Sequence, residues 1–319
     1  MKTLVVGGTG FLGPFIVDEL LRRRHEVATL GMDWRQFSAP VTELPGAAAD
    51  GQALRGAVSS WRPDKLIDME RGSADRAEAV IAACAGQVSR SVHLSSGAVY
   101  GSSPICPVDE MTATSDSLPP DLAAQAESDR TLLAAAERGE LRAVVMRLPE
   151  LYGPRDPRGA EWFFAKRALD GRTRIALPDA GLHICHRGFV QSMAWGVAQA
   201  ACVERASGVY NLGEEKLYTL AQLARGVARA LDHEWEIYSV PGQLWAVPYA
   251  CTRFFDLRKA RAQLRYEDRM IPRDGLELTL AWLCQNPKGE DWSWPGVDQP
   301  FDYAREDALI DEFGVRLEA

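Results

Sequence analysis

The sequence predicts an α/β protein built on a doubly wound parallel sheet, followed by a smaller α/β region. Three observations lead to this fold class. An apolar run at 4–6 enters a glycine-rich turn, strand and helix patterns then alternate to about residue 154, and beyond it proline, glycine and aromatic residues interrupt the alternation. Because alternating strands and helices favour parallel pairing with helices on both faces of the sheet, we expect the first half to form one layered domain.

The first element is the strand at 4–6 with the turn that follows it, residues 7–13, which we call the glycine turn. Gly7, Gly10 and Gly13 have the spacing G-x-x-G-x-x-G, and Phe11 and Leu12 lie between the last two. Glycine lets the backbone turn tightly and approach a diphosphate, and the next helix offers N–H groups and the positive end of its dipole. The glycine turn therefore predicts a Rossmann-type dinucleotide site that holds NAD or NADP.

The second strand, at 26–30, leads to the position at which such a fold meets the adenosine ribose. An acid there accepts a hydrogen bond from the ribose 2′-hydroxyl of NAD, whereas an arginine pairs with the 2′-phosphate of NADP. Asp33 and Arg35 are both present, so the choice between NAD and NADP stays open. A short third strand is expected at 47–50, and Asp50 at its end is a candidate contact for the adenine edge.

The remaining elements follow from the spacing of apolar residues. We expect helices at 52–61, 73–84 and 123–136 and strands at 66–69, 92–94 and 143–146. The predicted dinucleotide-binding domain spans 1–154, with returns of the chain around 189–212. A smaller substrate-binding region with a C-terminal cap spans 155–319, and in it we expect a helix at 220–231 and a strand at 236–240.

Composition argues against several classes of function. The 319 residues are 46% hydrophobic and carry a net charge of -8, which disfavours a nucleic-acid partner or an anionic membrane surface and favours a small-molecule substrate. Since no apolar run reaches bilayer length, we expect a cytoplasmic protein without a membrane partner. Six cysteines are scattered without a C-x-x-C pair, so we expect them to be buried and predict no metal site. The sequence is compatible with a homodimer.

Further motifs follow the glycine turn in a fixed order. They read S-S-G-A-V-Y-G at 95–101, R-L-P-E-L-Y-G-P at 147–154, R-G-F-V at 187–190, G-V-Y-N-L-G at 208–213 and D-L-R-K-A-R-A-Q-L at 256–264. In this order they resemble the extended short-chain dehydrogenase/reductases, the NAD-dependent epimerase/dehydratase family, over most of the chain. The resemblance implies an NAD(P)-dependent oxidoreductase, epimerase or dehydratase.

One part of the family pattern is missing. In the family, a Ser or Thr acts with a Tyr and with a Lys four residues beyond it, and the Tyr moves a proton while hydride moves to or from the nicotinamide. The family's hydroxyl position falls on Ser96, but Asp121 stands where Tyr is expected and Gln125 where Lys is expected. An ionised carboxylate is a poor proton donor at neutral pH, whereas Gln125 retains the ability to hydrogen-bond a ribose hydroxyl of the cofactor.

Other side chains are therefore candidates for the site. Glu150 follows a strand at its carboxyl end, where this fold places its ligands, and with Ser96 and Asp121 it completes the predicted catalytic set. The alternative for Glu150 is a loop acid bonded to neighbouring backbone. Tyr152 and Arg187 are assigned to the substrate, because Arg187 resembles the family arginine that contacts a phosphate or carboxylate.

The sequence leaves three functions open. The first is an NAD(P)-dependent reductase, epimerase or dehydratase that acts on a nucleotide sugar or a natural-product intermediate with non-standard acid/base residues. The second is a non-catalytic NAD(P)-binding scaffold or regulator, and the third is a non-redox enzyme with a structural dinucleotide. Ser96 and the glycine turn favour the first and third, whereas the missing Tyr and Lys favour the second and third.

Overall fold

The computed structural model describes residues 1–7, 10–31, 37–70, 72–103 and 105–318, except for the side chain of Cys185. Its strands in chain order are β1 (Lys2–Val6), β2 (Glu26–Leu30), β3 (Thr42–Leu44), β4 (Lys65–Asp68), β5 (Arg90–Ser96), β6 (Ala143–Leu148), β7 (Glu150–Tyr152), β8 (Arg174–Pro178), β9 (Ile184–Cys185), β10 (Arg187–Phe189), β11 (Gly208–Asn211), β12 (Tyr218–Thr219), β13 (Glu236–Val240) and β14 (Val315–Arg316).

The helices alternate with these strands in the first half of the chain. They are α1 (Gly13–Arg22), α2 (Gly51–Trp61), α3 (Ala74–Cys84), α4 (Pro120–Glu137), α5 (Trp162–Leu169), α6 (Val190–Cys202), α7 (Leu220–Ala230), α8 (Pro272–Gln285) and α9 (Tyr303–Phe313). Short helical turns also lie at Gly97–Tyr100, Asp179–Gly181 and Ala260–Leu264.

The chain folds into two compact units, which are interleaved in sequence. Unit 1 is formed by Met1–Glu150, Val190–Glu215 and Phe255–Arg269. Unit 2 is formed by Leu151–Phe189, Lys216–Phe254 and Met270–Ala319. The sequence predicts returns to the first domain around 189–212, and the structure adds the segment Phe255–Arg269 to that unit.

Unit 1 is built on a seven-stranded sheet with the strand order β11-β6-β5-β4-β1-β2-β3. Every neighbouring pair in this order is parallel. The central strands are apolar runs buried on both faces, as Leu4, Val5 and Val6 show in β1, because helices cover both faces of such a sheet. The predicted doubly wound parallel sheet is confirmed.

The third strand of unit 1 lies earlier than the sequence predicts. The strand expected at 47–50 is wrong: β3 is Thr42–Leu44, and 47–50 forms a turn in which the Asp50 N–H donates to Ala47 O. The alanines at 47–49 have low strand propensity, whereas Thr42 is β-branched. Asp50 then starts α2, because its carboxylate accepts the N–H of Gln52 at 2.8 Å.

Unit 2 has its own core around a three-stranded sheet with the order β14-β13-β8. Helix α7 begins with a capping box between Thr219 and Gln222, and its Leu223 packs in the same core as Phe163 and Phe164 of α5. The C-terminal aromatic residues join this core, which includes Trp292. Within the described ranges, no helix combines the length and apolarity that crossing a membrane needs.

Candidate active site

The glycine turn follows β1 at the carboxyl edge of the sheet in unit 1. Gly7 has a φ of +73°, a conformation that strongly favours glycine, and its N–H donates to Leu30 O at 3.0 Å. A Cβ built on Gly10 would meet no atom of the described residues within 4 Å, so among them the backbone borders open space at that position. Gly8 and Thr9 lie outside the described residues. The glycine spacing therefore gives the tight turn and the open approach that a diphosphate requires.

Helix α1 begins directly after the turn, with Gly13 as its first residue. Its N-cap residue is Leu12, which is buried and makes no side-chain capping bond, and Phe11 before it is half-buried. The N–H groups of the first helical turn thus have no capping side chain among the described residues, and the helix dipole adds positive potential at the same place. These backbone features fit the diphosphate of a dinucleotide.

A carboxylate that the sequence did not single out lies beside the glycine turn. A Cβ built on Gly7 would come within 2.4 Å of Glu70 Oε1, so the Glu70 side chain fills the space next to this glycine. The Glu70 N–H donates to Asp68 Oδ1 at 3.3 Å, just beyond the carboxyl end of β4. Because β4 pairs with β1, a residue just after β4 is expected near the turn after β1, and this position is the sequence signal by which Glu70 could have been found. Its negative charge and that of a diphosphate repel each other.

Ser96 ends β5, and Glu150 is the first residue of β7, two residues after the neighbouring strand β6 ends. In the parallel pairing of β5 with β6, Ser96 is opposite Leu148, two residues before Glu150. Ser96 Oγ accepts the N–H of Ala98 at 3.1 Å, which leaves its own proton to donate, and both side chains are half-buried.

The residues at the family's Tyr and Lys positions lie on the first turns of α4. Asp121 is exposed in the first turn, where a negative charge is favoured by the helix dipole. Gln125 is half-buried: its Oε1 accepts the N–H of Gly72 at 2.9 Å and its Nε2 donates to Asp129 Oδ1 at 3.3 Å. Gln125 thus connects α4 to the loop after β4, and its contact with a cofactor ribose stays a prediction.

Asp129 links three elements beneath this site, and the sequence did not assign it a role. Its Oδ2 accepts from Ser95 Oγ at 2.9 Å and from Arg147 Nε at 3.2 Å, which connects α4 with β5 and β6. Burial raises the pKa of the Asp129 carboxyl, while the charge of Arg147 opposes this effect. In the sequence, Asp129 is the acid of the pair Asp129-Arg130, four residues after Gln125, and this spacing is compatible with the contact.

For the residues that the sequence assigns to the adenosine end of the cofactor, the structure gives the position of Asp50 only. Asp33 and Arg35 lie outside the described residues. Asp50 is exposed and bonds the first turn of α2 through one carboxylate oxygen. Its role at the adenine edge and the choice between NAD and NADP stay predictions.

The substrate residues assigned from the sequence both lie in unit 2. Tyr152 is fully buried, and its hydroxyl donates to Pro272 O at 3.4 Å. The Arg187 guanidinium lies 4.1 Å from the centre of the Tyr152 ring, and its Nη1 donates to Glu161 Oε1 at 2.9 Å. Tyr249 also donates to Glu161 Oε1, at 3.0 Å. Since a buried carboxylate already balances Arg187, its contact with a substrate anion stays a prediction.

The cysteines do not all occupy the interior. Cys84 is buried, and burial raises the pKa of its thiol to about 12, whereas Cys251 and Cys284 are exposed. The expectation that the cysteines are buried is therefore wrong for these two, because they lie on a loop and on an outward face of α8. Among the residues that the structure describes, no group of three or more His, Cys, Asp or Glu side chains could hold a metal ion.

Curated relatives match this chain in sequence, and solved structures match it in fold. The chain is 26% identical over 245 residues to the chloroplast stem-loop binding protein of 41 kDa b of Arabidopsis thaliana, covering 72% of this chain but only 63% of that protein. It is 26% identical to a dTDP-glucose 4,6-dehydratase of Streptomyces niveus, covering 90% of this chain and 94% of that enzyme. The UDP-glucose 4-epimerase of Thermus thermophilus, solved in complex with NAD, aligns with a TM-score of 0.70 at 24% identity, covering 89% and 99% of the two chains.

A family model gives the most specific match. The model of the NAD dependent epimerase/dehydratase family matches residues 3–213, from the first strand to the segment after β11. This range contains the glycine turn, Ser96 and Glu150. The match confirms the dinucleotide cofactor, NAD or NADP, that the glycine turn predicts, and the chain belongs to the NAD dependent epimerase/dehydratase family.

Proposed function

We propose that the chain is an NAD(P)-dependent reductase, epimerase or dehydratase that acts on a nucleotide sugar or a natural-product intermediate. The observation that carries the proposal is the placement of Ser96 at the carboxyl end of β5 and of Glu150 two residues beyond the end of β6, which pairs with β5 in the sheet that also bears the glycine turn. The relatives support the substrate class, since a dTDP-glucose dehydratase and a UDP-glucose epimerase are among them. A net charge of -8 favours such a small substrate over a nucleic acid.

The residues of unit 1 divide the work between binding and proton transfer. A bound dinucleotide supplies hydride transfer at C4 of its nicotinamide. The glycine turn and the N–H groups of the first turn of α1 hold its diphosphate. Ser96 Oγ, which already accepts the Ala98 N–H, donates its proton in a hydrogen bond to a substrate oxygen. Glu150 exchanges a proton with that oxygen or with an adjacent carbon, in place of the missing Tyr.

The proton-transfer role of Glu150 is tested by Glu150→Gln. This change keeps the size of the side chain and removes its acid/base function, so turnover should fall by roughly 10²- to 10⁴-fold. Dinucleotide affinity measured by calorimetry should be unchanged, which separates loss of chemistry from loss of binding. If the variant is as fast as the parent protein, Glu150 is not the acid/base group.

The cofactor site is tested by Gly10→Val. Because a Cβ at Gly10 meets no atom within 4 Å in the described parts of the chain, the fold should accept the new side chain. The valine would occupy the open space from which the diphosphate approaches, so affinity should fall at least about tenfold, or about 1.4 kcal/mol. Calorimetry with NAD(H) and NADP(H) measures this, and a parent protein that binds neither dinucleotide would contradict the proposed site.

Cofactor preference is proposed to depend on Arg35. Only a cation gains from the additional charge of a 2′-phosphate, so Arg35→Ala should weaken NADP(H) binding much more than NAD(H) binding. Equal losses for the two dinucleotides would remove Arg35 from the ribose site and leave Asp33 as the candidate.

A second function, a non-catalytic dinucleotide-binding protein, is favoured by the contacts of Gln125. Both ends of its amide are bonded, to Gly72 and to Asp129, so the residue at the Lys position holds a loop. The double change Asp121→Tyr with Gln125→Lys restores the family pattern. If the parent protein is inert with all candidate nucleotide sugars and the double variant transfers hydride, the binding function is favoured. An epimerase and a non-redox enzyme with a structural dinucleotide both turn over substrate without a net change in the oxidation state of the bound dinucleotide. Chemical reduction of that dinucleotide separates them, because it should inhibit an epimerase, which needs the oxidised form.

A further inference from the structure

Unit 2 contains a cavity whose lining includes Arg187 but no other described residue that the sequence predicts for a site. It lies between α7 and α8, has a volume of about 260 Å³, and is lined mainly by apolar atoms; we call it the α7–α8 groove. Leu223 and Gly226 of α7 and Pro272 and Leu276 of α8 contribute its apolar lining. The groove lies wholly within unit 2, so it is independent of the glycine turn in unit 1.

Three arginines give the groove a positive rim in an acidic protein. Arg225 and Arg229 are one helical turn apart on α7, and Arg273 lies at the start of α8. Glu277 of α8 is the acidic residue among the lining side chains. Arg187 also lines the groove, but its guanidinium is already bonded to Glu161. A local excess of positive charge in a chain of net charge -8 attracts anions.

The arginines differ in how far they are already engaged. Arg225 Nη2 donates to the Glu318 carbonyl at 2.8 Å, and Arg273 Nε lies 3.4 Å from Asp274 and 3.6 Å from Glu277. Arg229 is exposed, and within the part of the chain that the structure describes its guanidinium makes no ion pair or hydrogen bond. Arg229 therefore has its guanidinium available for a ligand, with Arg225 beside it on the same helix face.

We propose that the α7–α8 groove binds a small phosphate monoester with a compact apolar or aromatic body. The guanidinium groups of Arg229 and Arg225 contact the phosphate, because planar guanidinium forks match phosphate oxygens in pairs. The apolar body lies against Leu223, Pro272 and Leu276, and Tyr218 and Gln222 line the same space. A cavity near the small end of the usual ligand range suits a molecule of this size.

The direct test is isothermal titration of the full chain with phenyl phosphate, without dinucleotide. We expect saturable binding of phenyl phosphate, with inorganic phosphate and phenol each at least roughly tenfold weaker because each offers only half of the contacts. Binding should weaken as salt is added, since the arginines are partly exposed. Absence of saturable binding, or equal affinity for phenyl phosphate and phosphate, would overturn the proposal.

Two variants assign the binding to this groove. Arg229→Ala should weaken phenyl phosphate binding at least roughly tenfold, whereas Arg55→Ala, which removes an equally exposed helix arginine from α2 in unit 1, should leave it unchanged within about twofold. Equal losses in both variants would indicate a general charge effect and contradict the groove.

Gly226→Ala tests the shape of the groove without removing charge. The added Cβ would lie 3.1 Å from Leu276 Cδ2, so it narrows the space between the two helices. Alanine also favours the helix more than glycine, so a loss of binding with an unchanged or higher melting temperature cannot come from unfolding. Unchanged affinity in Gly226→Ala would overturn the proposed position of the apolar body. Gly10→Val should retain phenyl phosphate binding, so failure of the cofactor proposal and failure of this inference are measured separately.

Discussion

Two buried aspartates, one in each unit, have pKa values that are shifted in opposite directions. Asp68 at the end of β4 is 3% exposed and Asp156 in unit 2 is 2% exposed, so both carboxylates are removed from water to the same extent. Burial alone disfavours the charged form of each. The two differ in their partners, and the partners decide which aspartate is charged at neutral pH.

Asp68 is held by a paired cation. Arg76 Nε donates to its Oδ2 at 3.0 Å and Arg76 Nη2 donates to its Oδ1 at 2.7 Å, while the buried His93 lies 3.8 Å away through its Nδ1. Burial opposes ionisation, but the proximity of His93 and the two hydrogen bonds and the charge of Arg76 outweigh it and lower the pKa of Asp68. Arg76 also donates to Ala48 O at 2.9 Å, so the pair connects β4, α3 and the turn before α2.

Asp156 has no such cation at its carboxylate among the described residues. Its Oδ1 accepts the Arg158 N–H at 3.0 Å and its Oδ2 has no hydrogen-bond partner there, whereas Lys288 Nζ donates to the Asp156 carbonyl instead. Burial and the negative charge of Glu161 raise the pKa of Asp156 to about 6. Glu161 Oε2 also lacks a partner within the same ranges. Equal burial thus gives a stable ion pair in unit 1 and an acid that costs stability when charged in unit 2.

The largest change in stability is expected when the ion pair of Asp68 with Arg76 is removed. Arg76→Ala leaves Asp68 buried without its cation, and such a loss typically costs about 3–5 kcal/mol in the free energy of unfolding. Because the pKa of Asp68 is lowered in the folded state, its stabilisation is present above its ordinary pKa and is lost as pH falls through the lowered value. Urea unfolding at pH 7 should therefore show the full loss, and the loss should shrink in acid.

Two controls separate the ion pair from general effects of losing an arginine. Arg55→Ala, on the exposed face of α2, should change the free energy of unfolding by less than about 0.5 kcal/mol. The double change Arg76→Ala with Asp68→Asn removes both charges and should cost less than the sum of the single changes. Additive losses would show that the pair does not act as a unit.

Removing the charge of Asp156 should have a smaller effect of opposite sign, a gain in stability. Asp156→Asn keeps an oxygen for the Arg158 N–H and removes the buried charge. Since the pKa rises from 3.8 to about 6 on folding, folded Asp156 binds a proton more tightly, and the stability of the parent protein falls as pH rises through this window. A shift of this size corresponds to a gain of up to about 3 kcal/mol for the variant above pH 6 and to none below about pH 4.

Thermal unfolding at pH 4 and pH 8 measures this gain. Asp298→Asn removes an exposed carboxylate of the same unit and should give no gain at either pH. The charged groups that face Asp156 are Glu161, Arg158 and Lys288. Lys288 bonds the Asp156 carbonyl, and Lys288→Met tests whether its charge also offsets the charge of the carboxylate. A variant Asp156→Asn that is less stable than the parent protein at pH 8 would show that the carboxylate is paired in solution.

The fold of unit 1 was predictable because its signals are local. The strand predicted at 26–30 has the bounds of β2, and Ser73, predicted as the first residue of a helix, caps α3. The strand expected at 47–50 was misplaced, since an alanine run carries little local preference and the pairing of β3 with β2 decides its position. The segment Phe255–Arg269 was placed with the second region because membership of a unit depends on contacts distant in sequence.

In the candidate site, too, features with local signals were predictable and contacts between distant segments were not. The glycine turn was predictable because its chemistry is that of the backbone, which Gly7 and Gly10 specify directly. Glu70 beside Gly7 and the pair of Asp68 with Arg76 were not, because they join residues from different segments. The raised pKa of Asp156 was not predictable either: it comes from burial and from Glu161, and although Glu161 lies only five residues away, neither the burial nor the approach of the two carboxylates can be derived from the sequence.

The smallest effect is expected where α3 begins and positions Arg76. Ser73 Oγ accepts the Arg76 N–H at 3.1 Å, so Ser73→Ala removes the cap of the helix that presents this arginine to Asp68. Loss of such a cap typically costs about 1 kcal/mol in the free energy of unfolding, whereas Ser60→Ala, at an exposed position near the end of α2, should cost less than about 0.5 kcal/mol. If the cap acts partly by aligning Arg76, its loss should cost less in the Arg76→Ala background, which a double-mutant cycle in urea measures. Identical costs of Ser73→Ala in both backgrounds would show that the strength of the Asp68 pair does not depend on how α3 starts.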